Sequence, residues 1–127
     1  MALEPGLQAE VVHLVTDEDT ATAVGSGDVP VLATPRLLAL AEAATVATVR
    51  AELPPGQTSV GTRVELEHLR PTPVAVRIGV TATLTEVDGR LLRFEIVAEH
   101  PDGGVVATGA VSRIVVDRAR FVARAAD

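Results

Sequence analysis

The chain has 127 residues, the size of one domain, and 47% of them are hydrophobic, enough for a core built from Val, Ala and Leu. Two Phe, no Trp, no Tyr and no Cys exclude a deep aromatic-lined pocket, disulfides, a thiolate metal site and a cysteine nucleophile. A net charge of −6 disfavours nucleic acid, and all eleven basic residues are Arg, which excludes Schiff-base lysine chemistry and a P-loop lysine.

The opening MALEPGLQAE lacks the basic and apolar regions of a leader. No apolar run reaches the roughly 18 residues that a membrane span needs. The expectation is a single cytoplasmic domain over residues 1–127, with no membrane or nucleic-acid partner. Leu7 to Val15 reads as a first strand carrying His13. Thr16 to Val29, acidic and then Gly/Ser-rich, reads as a loop or short helical turn. It is placed to cover whatever lies at the start of the next element.

That element is Thr34 to Glu52, TPRLLALAEAATVATVRAE, the one long helix. Thr34 fits the N-cap, Pro35 fits the first helical position, and Pro54-Pro55-Gly56 ends it. It is apolar on nearly every side and so should be wrapped by the rest of the chain. Thr45, Thr48 and Glu52 share one broad polar side, whereas Glu42 lies among Leu38, Val46 and Val49. Glu42 is either an acid held in apolar surroundings, where its chemistry changes, or an edge residue reaching water.

Four strand-like runs follow. Gln57 to Leu69 puts Val60, Thr62, Val64, Leu66 and His68 in one phase. Val74 to Leu84 alternates with Val74, Val76, Ile78, Val80, Ala82 and Leu84 on one face, the pattern of a half-buried antiparallel strand. Asp88-Gly89 and Pro101-Asp102-Gly103-Gly104 are turns that separate Leu91 to Glu99 and Val105 to Asp117. The order predicts a strand, a loop, a helix and a four-stranded antiparallel meander: an α+β domain whose curved sheet wraps the helix. Arg118 to Asp127 reads as a short helix or a frayed end.

Several polar residues break the pattern. His68 ends a core-facing row before Arg70-Pro71-Thr72-Pro73, where an imidazole suits either proton transfer or a structural bond to a backbone carbonyl. Gly61 signals a bulge or a close backbone approach. Arg113, among Val111, Ile114 and Val115, faces solvent or pairs with a buried acid. Three scattered His carry no metal-ligand spacing, and no Gly-rich phosphate loop or G-x-S-x-G is present.

Thr34 followed eight residues later by Glu42, then Gly61-Thr62, then His68 seven residues after Gly61, resembles the fluoroacetyl-CoA thioesterase family of hotdog-fold proteins. HLRPTPVAVRIGVTATL, VDGRLLRF and GAVSRIVV are similar to its following strands, so the resemblance spans roughly Thr34 to Val116. It implies a hotdog fold, a homodimer or tetramer, no cofactor, and hydrolysis of an acyl-CoA or acyl-carrier thioester at a dimer interface. Carried over, Thr34, Glu42 and His68 are the catalytic group, Gly61 gives a backbone N–H near the thioester carbonyl, and Arg113 is a supporting residue. Glu42 stays open as nucleophile, base or orienting group.

The chain departs from the family where the fluoroacetyl-specific member carries lid phenylalanines. Here the segment is GSGDVPVLA, so a different small or medium acyl group is expected. Arg36, Arg63, Arg70 and Arg77 are candidate partners for CoA phosphates. Two other functions stay in view: an acyl-CoA-binding protein without turnover, and a hotdog hydratase or dehydratase, which lacks the expected Asp–His pair. A purely structural reading pairs Glu42 with Arg113 as a buried ion pair. The hydrolase reading expects Glu42→Ala and His68→Ala to lower the rate at unchanged folding.

Overall fold

The computed structural model of the protein describes residues 3–126, so Met1, Ala2 and Asp127 of the two terminal segments lie outside it. Strands β1 (Gln8–Leu14), β2 (Gln57–His68), β3 (Arg77–Asp88), β4 (Leu91–Glu99) and β5 (Val105–Asp117) form one antiparallel sheet in the order β1-β3-β4-β5-β2. Helix α1 (Ala21–Val24) is a single turn, α2 (Thr34–Val49) is the long helix, and α3 (Arg118–Ala125) is C-terminal.

The alternation along β3 and β4 gives the core. Ile78, Val80, Ala82 and Leu84 of β3, with Leu92, Phe94, Ile96 and Ala98 of β4, are all buried. They close on Leu37, Leu40, Ala41 and Ala44 of α2. Each large aliphatic side chain taken from water contributes about 1.5–3 kcal/mol. The result is a curled five-stranded sheet around one helix, the hotdog arrangement.

Three details differ from the sequence expectation. The meander runs through β3, β4 and β5 only; β2 pairs with β5 and lies at the far edge. The link from β2 to β3 holds Pro71 and Pro73 and has no tight-turn signal, so it crosses the fold instead of closing a hairpin. Within that link Ala75 sits at φ 75°, a left-handed turn that delays β3 to Arg77. The strand then continues to Asp88.

The helix is also not wrapped on all sides. Thr45 and Thr48, expected on a polar face, are buried, and each hydroxyl donates to its own helix, at 2.6 Å to the Glu42 carbonyl and 2.7 Å to the Ala44 carbonyl. The uncovered side is instead Pro35, Ala39, Ala43 and Ala47, with Leu38, Glu42 and Val46 half-buried beside it. After Val49 the chain tightens into a turn over Arg50–Glu52 before the Pro-Pro-Gly stop.

Candidate active site

Thr34 does not cap α2. Ala33 holds the N-cap position and Thr34 begins the helix, with Pro35 following it in the first turn. The Thr34 hydroxyl instead meets His68 Nδ1 at 2.8 Å, joining the start of α2 to the end of β2. The other ring nitrogen, Nε2, is buried and has no hydrogen-bond partner among the described residues. A buried polar atom left unpaired is costly in a resting protein, and such atoms concentrate where a ligand completes the set. Burial holds the His68 pKa below its usual 6.5, with the Arg70 backbone opposing in part, so the ring is neutral at pH 7.

Thr34 and His68 form one wall of a cavity of about 340 Å³. Val29, Val31, Leu32, Leu69 and Pro71 supply aliphatic lining, and Ala21, Ser26 and Gly27 bring the loop before α2 over it. The loop is held by a bridge between Thr20 and Leu32 and another between Val31 and Pro73. The Leu32 N–H donates to the Thr72 carbonyl at 2.8 Å, and the Thr72 hydroxyl meets His100 Nε2 at 2.7 Å inside the fold. The first-turn N–H groups of Thr34 and Arg36 have no acceptor among the described residues, leaving donors free at the positive end of the helix.

A second cluster lies two turns along α2. Glu42 Oε2 accepts from Arg113 Nη1 at 3.1 Å. Arg113 also donates to Ser59 Oγ at 2.8 Å, to the Ser59 carbonyl at 2.9 Å and to Thr45 Oγ1 at 3.4 Å. Its side chain is 7% exposed, against 35% for Glu42. Burial pulls the Arg113 pKa down and the Glu42 carboxylate pushes it back up; the guanidinium still stays charged. Gly61 is the third member. The β2 register shifts between Gly61 and Arg63, so Thr62 is the extra residue and Gly61 turns toward the helix. A Cβ built on Gly61 would overlap the Glu42 carboxylate, which is why a residue without one stands there.

The two clusters are separate within one chain. Eight residues of helix place Glu42 about 12 Å from Thr34 along the axis, and no hydrogen bond joins Glu42 to Thr34 or His68 among the described residues. Thr34 with His68, and Glu42 with Gly61 and Arg113, are therefore two separate clusters along the same strand.

One buried acid escaped the sequence reading. Asp19, in the acidic loop, accepts from the Thr16 N–H at 2.8 Å, from His13 Nε2 at 2.8 Å and from Arg36 Nε at 2.8 Å. Burial opposes its charge, but these donors outweigh it and hold the carboxyl at about 2. The only signal in the sequence was Thr16-x-x-Asp19, the spacing of a capping box. Arg36 is thus bonded to Asp19, Arg63 pairs with Glu65 at 2.8 Å, and Arg70 approaches Asp102 at 3.6 Å, so each of these three already has a carboxylate neighbour. Among the described residues no cluster of His, Cys, Asp or Glu has the grouping of a metal site, and no helix is long and apolar enough to cross a membrane.

Residues 15–119 match the model of a family described as fluoroacetyl-CoA-specific thioesterase. The fluoroacetyl-CoA thioesterase of Streptantibioticus cattleyicolor is 33% identical over 94 residues, covering 74% of this chain and 67% of that protein. A crystal structure of the fluoroacetyl-CoA thioesterase FlK superposes with a TM-score of 0.91 at 26% identity, over 98% of this chain and 96% of that one. A Thermus thermophilus thioesterase superfamily member gives a TM-score of 0.88 at 25% identity, covering 94% of this chain and 88% of its own. A hot-dog-like protein from Thermanaerovibrio acidaminovorans gives 0.88 at 28% identity, with 97% and 90% covered. The matched span contains both clusters and most of the fold, and on that ground the chain belongs to the fluoroacetyl-CoA-specific thioesterase family of hotdog-fold thioester hydrolases.

Proposed function

We propose that the protein hydrolyses a small or medium aliphatic acyl-CoA thioester in the cavity beside Thr34 and His68. Two copies of the chain complete each site. The observation that carries the reading is the Thr34–His68 hydrogen bond, which orients the imidazole at the cavity wall and leaves Nε2 unpartnered. The acyl group lies against Val29, Leu32 and Leu69, with its carbonyl toward the free N–H groups at the start of α2, where developing negative charge is stabilised.

Water adds to the carbonyl carbon, the C–S bond breaks, and the proton lost by water is delivered to the departing sulfur. The products are a carboxylic acid and a free thiol. Neutral His68 is suited to carry that proton, and the Glu42 carboxylate, fixed by Arg113, acts on the attacking water as base.

The dimer follows from what one chain leaves unpaired. β2 has a strand neighbour on one side only, and the alanine side of α2 is bare next to it. Antiparallel pairing of two β2 edges about a two-fold axis near mid-strand lays the His68 end of each against the Gly61 half of the other. That juxtaposition supplies the Thr34–His68 pair of one copy with the Glu42 carboxylate of the other. The aromatic-free loop favours an acyl group larger than fluoroacetyl.

A panel of short, branched and aromatic acyl-CoA thioesters, read by thiol release, tests the assignment. Turnover on an aliphatic member well above background is expected. Binding of CoA esters by calorimetry with no turnover anywhere on the panel would replace the hydrolase with a binding protein.

A further inference from the structure

The end of the molecule opposite the cavity is unusually basic for a chain of net charge −6. Helix α3 presents Arg118, Arg120 and Arg124, all exposed. Arg90, from the β3–β4 turn, shares a hollow with Arg120, Arg124 and Phe121. Arg50, just past α2, shares a neighbouring hollow with Arg118, Gln57 and Thr58. Five of the eleven arginines are gathered here, and none has an ion-pair partner among the described residues, whereas Arg36, Arg63, Arg70, Arg93 and Arg113 all do. Asp117 lines the same hollow and keeps its charge while capping α3, accepting from the Arg120 N–H at 2.9 Å, so the arginines there outnumber it. Like charges gathered in excess of their counter-ions repel one another, and a polyanionic ligand relieves the repulsion.

We infer that this arginine pole binds the phosphate-bearing nucleotide end of a CoA thioester whose acyl group lies in the cavity of the partner chain. The inference rests on the dimer and substrate reading above. Within one chain the pole cannot serve its own cavity, because it flanks Gln57 at the start of β2 and the cavity flanks His68 at the end. Eleven strand residues separate the two by about 36 Å. Antiparallel pairing of the β2 edges removes that separation by placing each pole beside the other chain's cavity. Guanidinium groups take phosphate oxygens in bidentate fashion. Phe121, 37% exposed among these arginines, offers a ring face on which a purine stacks. A nucleotide uses both features; an acidic protein surface would use only the charge.

The test uses the full chain carrying Arg118→Gln, Arg120→Gln and Arg124→Gln together, assayed on an acyl-CoA and on the same acyl group joined to N-acetylcysteamine, which lacks the nucleotide. The expected result is a KM for the acyl-CoA raised at least about tenfold at unchanged kcat, the size of one lost charge-assisted hydrogen bond or more. The KM for the truncated thioester should not move. Calorimetry of CoA itself on both proteins gives a readout independent of turnover, with Kd rising in the same proportion. Equal change for both substrates, change for neither, or an effect confined to acyl-carrier-protein substrates would overturn the inference. A wild-type protein that binds CoA through these arginines yet hydrolyses neither thioester would sink the hydrolase reading and leave this one standing.

Discussion

His68→Ala is expected to lower kcat/KM for thioester hydrolysis by about 10²–10⁴-fold, the range lost with a general acid–base group. The fold should survive. His68 is half-buried at a strand end, and its one side-chain bond, to Thr34, accounts for about 1 kcal/mol of stability. The melting temperature should therefore shift by only a few degrees. The pH profile separates a chemical role from a packing one. Burial places the His68 pKa below 6.5, so the ring stays neutral as pH falls until that lowered value is passed. Activity should hold through pH 6.5 and fall only below it, and stability linked to this group should be lost over the same acidic window. If the acid limb persists unchanged in His68→Ala, proton transfer belongs to another residue.

Glu42→Ala should do something different: it should lower the stability of the fold as well as the rate. The Arg113 side chain is 7% exposed and Glu42 is its only carboxylate partner among the described residues. Removing one partner of a fully buried ion pair costs about 3–5 kcal/mol; the lower end or less applies here because Glu42 is 35% exposed and Ser59 still accepts two of the guanidinium bonds. That is a large share of the roughly 5–15 kcal/mol that holds a domain together. Glu42→Gln keeps an acceptor for Arg113 and removes only the charge, so it should retain most of the stability and still lose hydrolysis. Chemical denaturation of both variants beside wild type checks the ordering. Equal stability of Glu42→Ala and wild type would show that the pair contributes nothing to the fold.

The long helix was legible because Pro35 opens it and Pro54-Pro55-Gly56 closes it, both local signals. The strands were legible because their inward residues are aliphatic at period two. Strand order was not: alternation says which face is buried, not which neighbour a strand takes, and the β2–β5 pairing depends on a proline-bearing crossover. The bare side of α2 escaped for a related reason. Ala39, Ala43 and Ala47 are compatible with core or solvent, while the buried threonines satisfy themselves on their own helix and leave no polar signature. The family resemblance grouped Thr34, Glu42, Gly61 and His68, yet spacing alone does not reveal that they lie in two clusters. Asp19 was hidden because its partners His13 and Arg36 come from β1 and α2, distant from each other in sequence.

The proposed sharing of each site between two copies can be tested by mixing two inactive proteins. His68→Ala and Glu42→Gln are purified separately, unfolded together, refolded and assayed. A site that takes its imidazole from one copy and its carboxylate from the other is intact once in every mixed dimer. Random pairing then restores about a quarter of wild-type activity. A mixture as inactive as its components, with mixed dimers demonstrated by mass spectrometry, would contradict a shared site.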